Sequence, residues 1–375
     1  MYVVEFKIVA KTHQFQAIDE AIRTTQFVRN KALRYWMDAP RDEKVNGYAL
    51  SKLAATLRKE FDFVKRLNSM ACQAATERAW FAISRFFDNC KKQKSGKKGY
   101  PRFQKDNRSV EYKTSGWKLH PEKRRVTFTD GNNIGELKLL GSWELHRIDP
   151  KTIKRVRIIR RADGYFCQFC IKAEVSKDVR VSNHEIGIDL GLNHFYSDSE
   201  GYQEENPRFL RKAEEQIKKN QRRIYKKVKG SNNRRKARKR YASVHLKVSR
   251  QRIEHAKRVA RCVCKHNSFV AYEDLRVSNM VKNRKLAKSI SDVSWSLFVQ
   301  WLKYFAGKFE TTVIAVNPAY TSQLCSNCGH IVKKSLSTRT HRCTKCGYVE
   351  DRDVNAAKNI LSRAKSREGH FQSNA

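Results

Sequence analysis

The chain is predicted to be a multidomain α+β protein. A β-barrel carries a helical insertion, and an α/β domain follows that carries a four-cysteine insertion. Three observations predict this. One amphipathic strand precedes about a hundred residues of helical periodicity, after which short strands return. A second unit begins near residue 183 and mixes apolar strands that end in acids with long helices. Close to the C-terminus, Cys325, Cys328, Cys343 and Cys346 read C-x2-C-x14-C-x2-C, directly before an acidic turn that opens a helix. With 375 residues and 40% hydrophobic content, the chain is long enough for two or three domains with their own cores.

The elements follow in order. Residues 2–10 alternate, with Val4, Phe6 and Ile8 on one face and Val3, Glu5 and Lys7 on the other. Residues 15–37 carry Ile18, Ala21, Val28, Ala32 and Tyr35 near one helical stripe, and 48–62 and 68–90 add two more helices. Tyr35, Trp36, Trp80, Phe86 and Phe87 are expected in the core of this block. A basic loop, KKQKSGKKGYPRF, closes it. From Val110 the segments EYKTSGWKLH, RRVTFTD, GELKLLG and KRVRIIRRADGYFCQFCIKAEV read as strands, separated by turns at DGNN and ADG. The economical arrangement is a barrel whose first and second strands flank the helices.

In the second unit, EIGIDLGLNHFYSDSEGY is strand, turn, strand. Two basic helices, 207–228 and 234–264, surround the turn KGSNN. SFVAYEDL is a buried strand ending in acids. SWSLFVQWLKYFAGKFE is a helix with Trp295, Phe298, Leu302 and Phe305 inward, and TVIAV is another strand. The polar tail, 364–375, is expected to be disordered.

Charge narrows the partners. Lys and Arg number 79 against 37 Asp and Glu, a net of +42. Such an excess repels itself unless a polyanion offsets it, and phosphates do so with release of counterions. No run of about eighteen apolar residues is present, and the basic helices lack an apolar face, so no membrane role is expected. MYVVEFKIVAK reads as a strand rather than a signal peptide. Ten cysteines without a secretion signal point to metal binding in a reducing compartment.

After residue 183 the order is strand with Asp, strand, helices, strand with Glu, helix, strand, cysteine knuckle, helix with Asp. That order is compatible with an RNase H-like nuclease fold. Adjacent strands and one C-terminal helix then bring carboxylates together, so that two divalent ions can flank a scissile phosphate. Hard carboxylate oxygens suit Mg²⁺. Asp189 ends an apolar strand in G-I-D-L-G. Glu273 follows SFVAY; parity puts it with Ala271, whereas Asp274 lies with Val270 and Tyr272 on the other face and competes for the role. Asp353 shares a helix face with Ala357 and Ile360, whereas Asp351 aligns with polar Asn355 and Lys358 and is expected to cap the helix. Three such acids repel one another without metal, so some local order is expected to depend on it.

The cysteine spacing matches a tetrahedral zinc ribbon with four thiolate ligands, which leaves no open position for catalysis and makes the Zn²⁺ structural. Cys167, Cys170, Cys262 and Cys264 read as packing residues.

The runs GIDLGLNHF, VAYEDL, SWSLFVQWLKYFA, PAYTSQLCSNCGH and RCTKCGYVEDRDVNAAKNI, in that order over 183–363, strongly resemble the TnpB family of insertion-sequence-encoded RNA-guided nucleases, relatives of type V CRISPR effectors. The N-terminal half resembles the family more loosely, through FVRNKALRYW and the YPRF turn. The resemblance implies a wedge barrel over 1–10 and 115–182 and a helical recognition domain over 11–114. It implies a RuvC-like nuclease domain over 183–316 and 349–363, with the zinc ribbon inserted at 317–348. It makes Asp189, Glu273 and Asp353 the Mg²⁺-holding triad. It also implies a guide RNA derived from the transposon end, one chain per guide, and a double-stranded DNA target beside a short transposon-adjacent motif. The expected setting is the prokaryotic cytoplasm, on the nucleoid when DNA is bound.

Between Arg208 and Arg250 stand eighteen Lys or Arg and two Glu, too lopsided for helices that pair their own charges. Contact with a guide–target duplex is expected there, with Arg222, Arg223, Arg234 and Arg235 as candidate residues. Asn68, Ser69 and Gln73 could meet base edges of the adjacent motif. Two alternatives compete with the nuclease reading: a nuclease-silent RNA-guided DNA-binding repressor, and a DDE-type transposase. The intact acidic set argues against the first, and the motif order fits the second less well.

Overall fold

The computed structural model describes every residue except 1, 41–42, 94–95, 143, 173–177, 336 and 373–375. It divides into two compact units, Met1–Glu174 and Val175–Ala375.

In the first unit, β1 (Tyr2–Val9) is followed by α1 (Thr12–Asp38), α2 (Gly47–Glu60), α3 (Asp62–Arg66) and α4 (Ser69–Lys91). The strands β2 (Ser109–Tyr112), β3 (Trp117–His120), β4 (Arg125–Phe128), β5 (Gly135–Leu140), β6 (Ile153–Arg161) and β7 (Gly164–Ile171) complete it. The alternation of β1 is realised: Val4, Phe6 and Ile8 are buried against Ile18, Ile22 and Val28 of α1 and Leu137 and Leu139 of β5. The sheet runs β2-β6-β7-β1-β5-β4-β3, antiparallel at every pairing. Its edges, β2 and β3, do not pair with each other among the described residues, so the expected barrel is seen as an open seven-stranded sheet. Hairpin turns are readable locally, whereas closure depends on ladder partners far apart in sequence.

Two further expectations are corrected here. Ser109–Tyr112, placed in the helical block by a boundary at 115, is an edge strand of the sheet, held to β6 by its ladder. Tyr35 and Phe87 are not core residues: they are 40% and 44% exposed. Phe87 packs its edge on Trp36, with ring centroids 6.0 Å apart, at the rim of the block.

One buried acid holds this unit together electrostatically. Burial alone would raise the Glu111 carboxyl, but Arg78, Arg155 and Arg157 outweigh it and hold it at about 2. A carboxyl depressed on folding stabilises the fold above its unfolded value and loses that contribution as pH falls toward 2. The first unit is therefore expected to lose this contribution progressively as pH falls from the ordinary carboxylate value of 4.5 toward 2. Glu111→Ala should cost about 3 kcal/mol, because it takes the shared carboxylate from Arg78 and Arg157 and leaves Arg155 with Glu77 alone. Urea midpoints at pH 7 and pH 3 check this; the variant should differ from wild type much less at pH 3.

The second unit contains β8 (His184–Asp189), β9 (His194–Asp198), β10 (Gln203–Glu205), α5 (Phe209–Tyr225) and α6 (Asn232–His266). Next come β11 (Asn267–Glu273), α7 (Val277–Met280), α8 (Ala287–Val293), α9 (Trp295–Phe309), β12 (Thr312–Val316), β13 (Thr340–Arg342), β14 (Val349–Asp351) and α10 (Arg352–Gln372). The sheet order is β10-β9-β8-β11-β12. The β8–β11 and β11–β12 pairs are parallel, and the two hairpin pairs at the other edge are antiparallel. Strand parity sorts the two faces. Ile186, Ile188, Val270 and Tyr272 pack on α6 and α9, with Trp295, Phe298, Leu302 and Phe305 buried as expected. Phe269, Ala271 and Val316 pack on Ile360 and Ala364 of α10. Among the described residues no helix is long and apolar enough to cross a membrane.

The division at Glu174/Val175 assigns to this unit eight residues that the boundary at 183 had left with the first. The N–H groups of Asp178 and Val181 bond to the carbonyls of Lys308 and Lys265. The tail expected from 364 continues α10 to Gln372, and only 373–375 fall outside the described residues. Ala364 anchors this stretch in the core, and no Pro or Gly interrupts it before Gly369, which the helix includes.

Gly187 sets the spacing between β8 and α10. A Cβ built there would lie 2.0 Å from the Ala357 carbonyl oxygen, a backbone atom that cannot swing aside. Gly187→Ala is therefore expected to destabilise the unit by at least about 2–3 kcal/mol, at the costly end of overpacking, and to lower the thermal midpoint measurably.

Candidate active site and metal centre

The three candidate carboxylates are brought to one face of the second sheet. Gly187 and Asp189 share parity on β8, and Gly187 touches α10, so Asp189 points to the α10 side. Ala271 lies opposite Gly187 and Tyr272 opposite Ile188, which makes Glu273 and Asp189 the next neighbours along the parallel ladder. Asp353 sits in the first turn of α10, buried on the face that carries Ala357, Ile360 and Ala364.

Their proximity is written in their electrostatics. Burial pushes the Asp189 carboxyl well above its ordinary value, and Glu273 and Asp353 push it further. Glu273 is also raised, first by burial; the Thr321 hydroxyl, which donates to its Oε1, and Arg363 oppose the rise, and Asp353 adds to it. Asp353 is covered by Arg352, whose Nε and Nη2 lie 2.8 and 2.7 Å from Oδ1, and Arg339 Nη1 is 3.7 Å from Oδ2.

Asp351 Oδ1 accepts the N–H groups of Asp353 and Val354 at 2.8 and 3.1 Å, so Asp351 caps α10 as expected. Asp274 follows Glu273 with opposite parity, and both acids line a small cavity beside Leu190, Trp295 and Val299.

Asp189 and Glu273, held back from ionising beside a third acid, offer hard oxygens whose crowding a divalent cation would relieve. Among the described residues only the four cysteines bring three or more ligand atoms within 4.8 Å of one another. The three carboxylates do not meet that spacing as they stand.

The cysteines meet a tighter test. Cys325 Sγ lies 3.7 Å from Cys346 Sγ, and Cys328 Sγ lies 3.6 Å from Cys343 Sγ. A tetrahedron with metal–sulfur bonds of ~2.3 Å has edges of ~3.8 Å, so the four sulfurs fit Zn²⁺. Each C-x2-C pair is followed by a glycine, Gly329 and Gly347, at φ 71° and 75°. That left-handed turn lets the glycine N–H return to the carbonyl of Cys325 or Cys343. The Tyr348 backbone N–H pulls the Cys346 thiol down to about 6, toward the thiolate a metal needs. All ten cysteines are free.

Sequence reasoning missed how the knuckle is tied to α10. Asn355, read as part of a polar face, is fully buried. Its Oδ1 accepts from Ser326 N–H at 3.0 Å and its Nδ2 donates to the Leu324 carbonyl at 2.8 Å. Asn359, one turn on, donates to the carbonyls of Thr321 and Leu324. Two asparagines at i, i+4 beside a cysteine knuckle were the available signal. Arg352 on Asp353 and Thr321 on Glu273 had none.

The remaining candidates separate. Asn68 is spent as the cap of α4, accepting from Met70 N–H. Ser69 and Gln73 line a groove with Arg58, Lys59 and Lys65. Arg234 bonds inward to the carbonyls of Ile224 and Lys227 and braces its own hairpin. Arg222 and Arg235 are exposed, and Arg223 faces the α5–α6 cleft. Cys167 and Cys264 are buried as packing residues and Cys170 is half-buried, but Cys262 is exposed, because helix periodicity turns it away from the face that Cys264 shares.

A family model described as "Probable transposase" matches residues 168–284, and one described as "Cas12f1-like, TNB domain" matches 295–360. A "Putative RNA-guided DNA endonuclease" of Streptomyces pristinaespiralis is 29% identical over 96% of this chain and 88% of its own. The "Putative RNA-guided DNA endonuclease InsQ" of Escherichia coli strain K12 is 29% identical over 70% of this chain and 68% of its own. The solved structure titled "Cryo-EM structure of the Cas12f1-sgRNA-target DNA complex" superposes with a TM-score of 0.53 at 15% identity, covering 93% of this chain and 81% of that one. The fold is Cas12f-like, a mixed α/β architecture with a four-cysteine cluster. Together these matches make the chain similar to TnpB-like transposon proteins.

Proposed function

We propose that the chain is an RNA-guided DNA endonuclease of RuvC type, with Asp189, Glu273 and Asp353 as its hydrolytic centre. The observation that carries this reading is the meeting of Asp189, Glu273 and Asp353 from β8, β11 and α10 at one end of the sheet, where burial and acidic neighbours raise the carboxyls of Asp189 and Glu273. The likeness to proteins named RNA-guided DNA endonucleases supports the guide and the substrate. The net charge of +42 supports a polyanionic partner.

The three carboxylates would hold Mg²⁺, which supplies an activated water and charge stabilisation at a scissile phosphate. Thr321 fixes one oxygen of Glu273 by its hydroxyl hydrogen bond and leaves the other for a ligand. Arg352 neutralises Asp353 until a cation replaces it. Asp351 fixes the first turn of α10 and so the position of Asp353. Zn²⁺ in the knuckle plays a structural part, with Asn355 and Asn359 transmitting its position to α10. The first unit is read as a wedge, a barrel-like sheet, with a helical recognition block. It would engage a guide RNA from the transposon end and the short motif beside a double-stranded target, one chain per guide. Action in the prokaryotic cytoplasm, on the nucleoid, follows from that substrate.

The test is incubation of the purified ribonucleoprotein with Mg²⁺ and a plasmid bearing guide-matched sequence beside the motif. Linear or nicked product at the matched site is expected. Guided binding without cutting would select the repressor, and joined strand-transfer products would select the transposase.

A further inference from the structure

The α5–α6 hairpin encloses a cleft of about 710 Å³ that the carboxylate centre does not use. Six cations line it: Lys219 and Arg223 from α5, and Lys236, Lys239, Arg240 and Lys247 from α6. On α6 these positions, with Ser243 and Val244, follow an i, i+3, i+4, i+7 progression and form one continuous stripe. No acid lines the cleft. Glu214 is turned away to Lys218 and Lys288, and Glu215 is exposed outside it. The root of the hairpin is fixed by Asp292, which accepts the N–H of Leu210 and the guanidinium of Arg252. Ala237 and Val248 are buried along α6, so the helices are packed and the cleft is preformed.

Like charges held this close on a rigid frame cost stability unless an anion enters. The stripe from Lys236 to Lys247 is about 16 Å long at the helical rise, room for a few successive phosphates. A cleft of about 710 Å³ has room for a short stretch of one strand and not for a duplex, whose major groove alone is about 12 Å wide. We propose that this cleft binds the phosphodiester backbone of a single nucleic-acid strand. The proposal rests on the reading of the chain as a nucleic-acid-handling nuclease. It narrows the duplex contact expected of these helices to a single strand and moves it to the six cleft cations.

The experiment compares two variants of the full chain with equal charge loss. One carries Lys236→Gln, Lys239→Gln, Arg240→Gln and Lys247→Gln in the cleft. The other carries Lys212→Gln, Lys226→Gln, Lys229→Gln and Arg238→Gln, exposed on the same hairpin outside it. Binding of labelled single-stranded guide RNA, single-stranded DNA and blunt duplex DNA is measured across a salt series. For a single strand, the cleft variant is expected to weaken binding about tenfold or more and to lower the salt slope by about three units, at about 0.7 for each of the four lost phosphate contacts. The control variant should lose far less, and duplex binding should change equally in both. Loss confined to the RNA arm identifies the guide as the occupant, and loss confined to DNA identifies a target strand. Equal losses in the two variants, or a loss larger for duplex, would overturn the proposal. Helix content is checked by circular dichroism. Lys236→Arg, Lys239→Arg and Lys247→Arg, which keep the charge, should retain binding, and the same comparison with Lys239→Gln alone carries the test if the quadruple variant unfolds. Binding is read without cleavage, so a wild-type protein that binds but never cuts refutes the nuclease reading and leaves this test intact.

Discussion

Asp353→Asn is expected to reduce guided cleavage by at least about a hundredfold, the scale of losing one preorganised electrostatic contact to a developing charge. Asp351→Asn, two residues earlier, should leave most of the activity. The two acids differ in what they touch. Asp351 Oδ1 receives the N–H groups of Asp353 and Val354, and asparagine caps a helix about as well as aspartate. Asp353 is buried, faces the α10 core stripe, and contributes to the raised carboxyls of Asp189 and Glu273. Initial rates on a matched plasmid at saturating Mg²⁺ check the pair. Full activity in Asp353→Asn with none in Asp351→Asn would reverse the two roles.

Loss of the knuckle metal is expected to be the second large effect. Cys343→Ser removes one of four thiolates whose sulfurs already stand at zinc-like separations. Structural zinc in small knuckles contributes on the order of 10 kcal/mol of apparent binding free energy, and a segment this short cannot build a core to replace it. The damage should spread to catalysis, because Ser326, Leu324 and Thr321 hold Asn355 and Asn359 of the helix that carries Asp353. Thr321 also holds Glu273. The expected result is about one equivalent of zinc per chain in wild type and a deficit in the variant. The variant should also show a lower thermal midpoint, and cleavage lost out of proportion to guide-RNA binding. A zinc-free variant with wild-type cleavage would detach the knuckle from the site.

Much of the site was legible because it is written in local periodicity. Parity along SFVAYED set Glu273 apart from Asp274, and the i, i+4, i+7 face set Asp353 apart from Asp351; the structure has Asp351 capping the helix and Asp353 buried. Cysteine spacing foretold four sulfurs at tetrahedral separations. Contacts that cross the chain were not legible. Nothing near Asn355 tells a reader that it will be buried against Leu324 and Ser326, thirty residues upstream. Closure of the barrel was not legible for the same reason: pairing β2 with β3 is a matter of distant ladder partners, and it is not seen among the described residues. Composition misled at Tyr35 and Phe87, where aromatic residues sit at the rim of the helical block. It misled again at the tail, where polarity was mistaken for the absence of a helix.

The central claim is that one cluster of acids on the second sheet cuts DNA chosen by an RNA. A single reprogramming assay tests it most directly. Wild-type and Asp189→Ala ribonucleoproteins, each loaded with two different guides, are given a plasmid matching only one guide. Wild type should cut with the matching guide alone, and Asp189→Ala should bind that plasmid equally well and leave it intact. Equal cleavage by the variant, or cleavage by wild type that ignores the guide, would contradict the account.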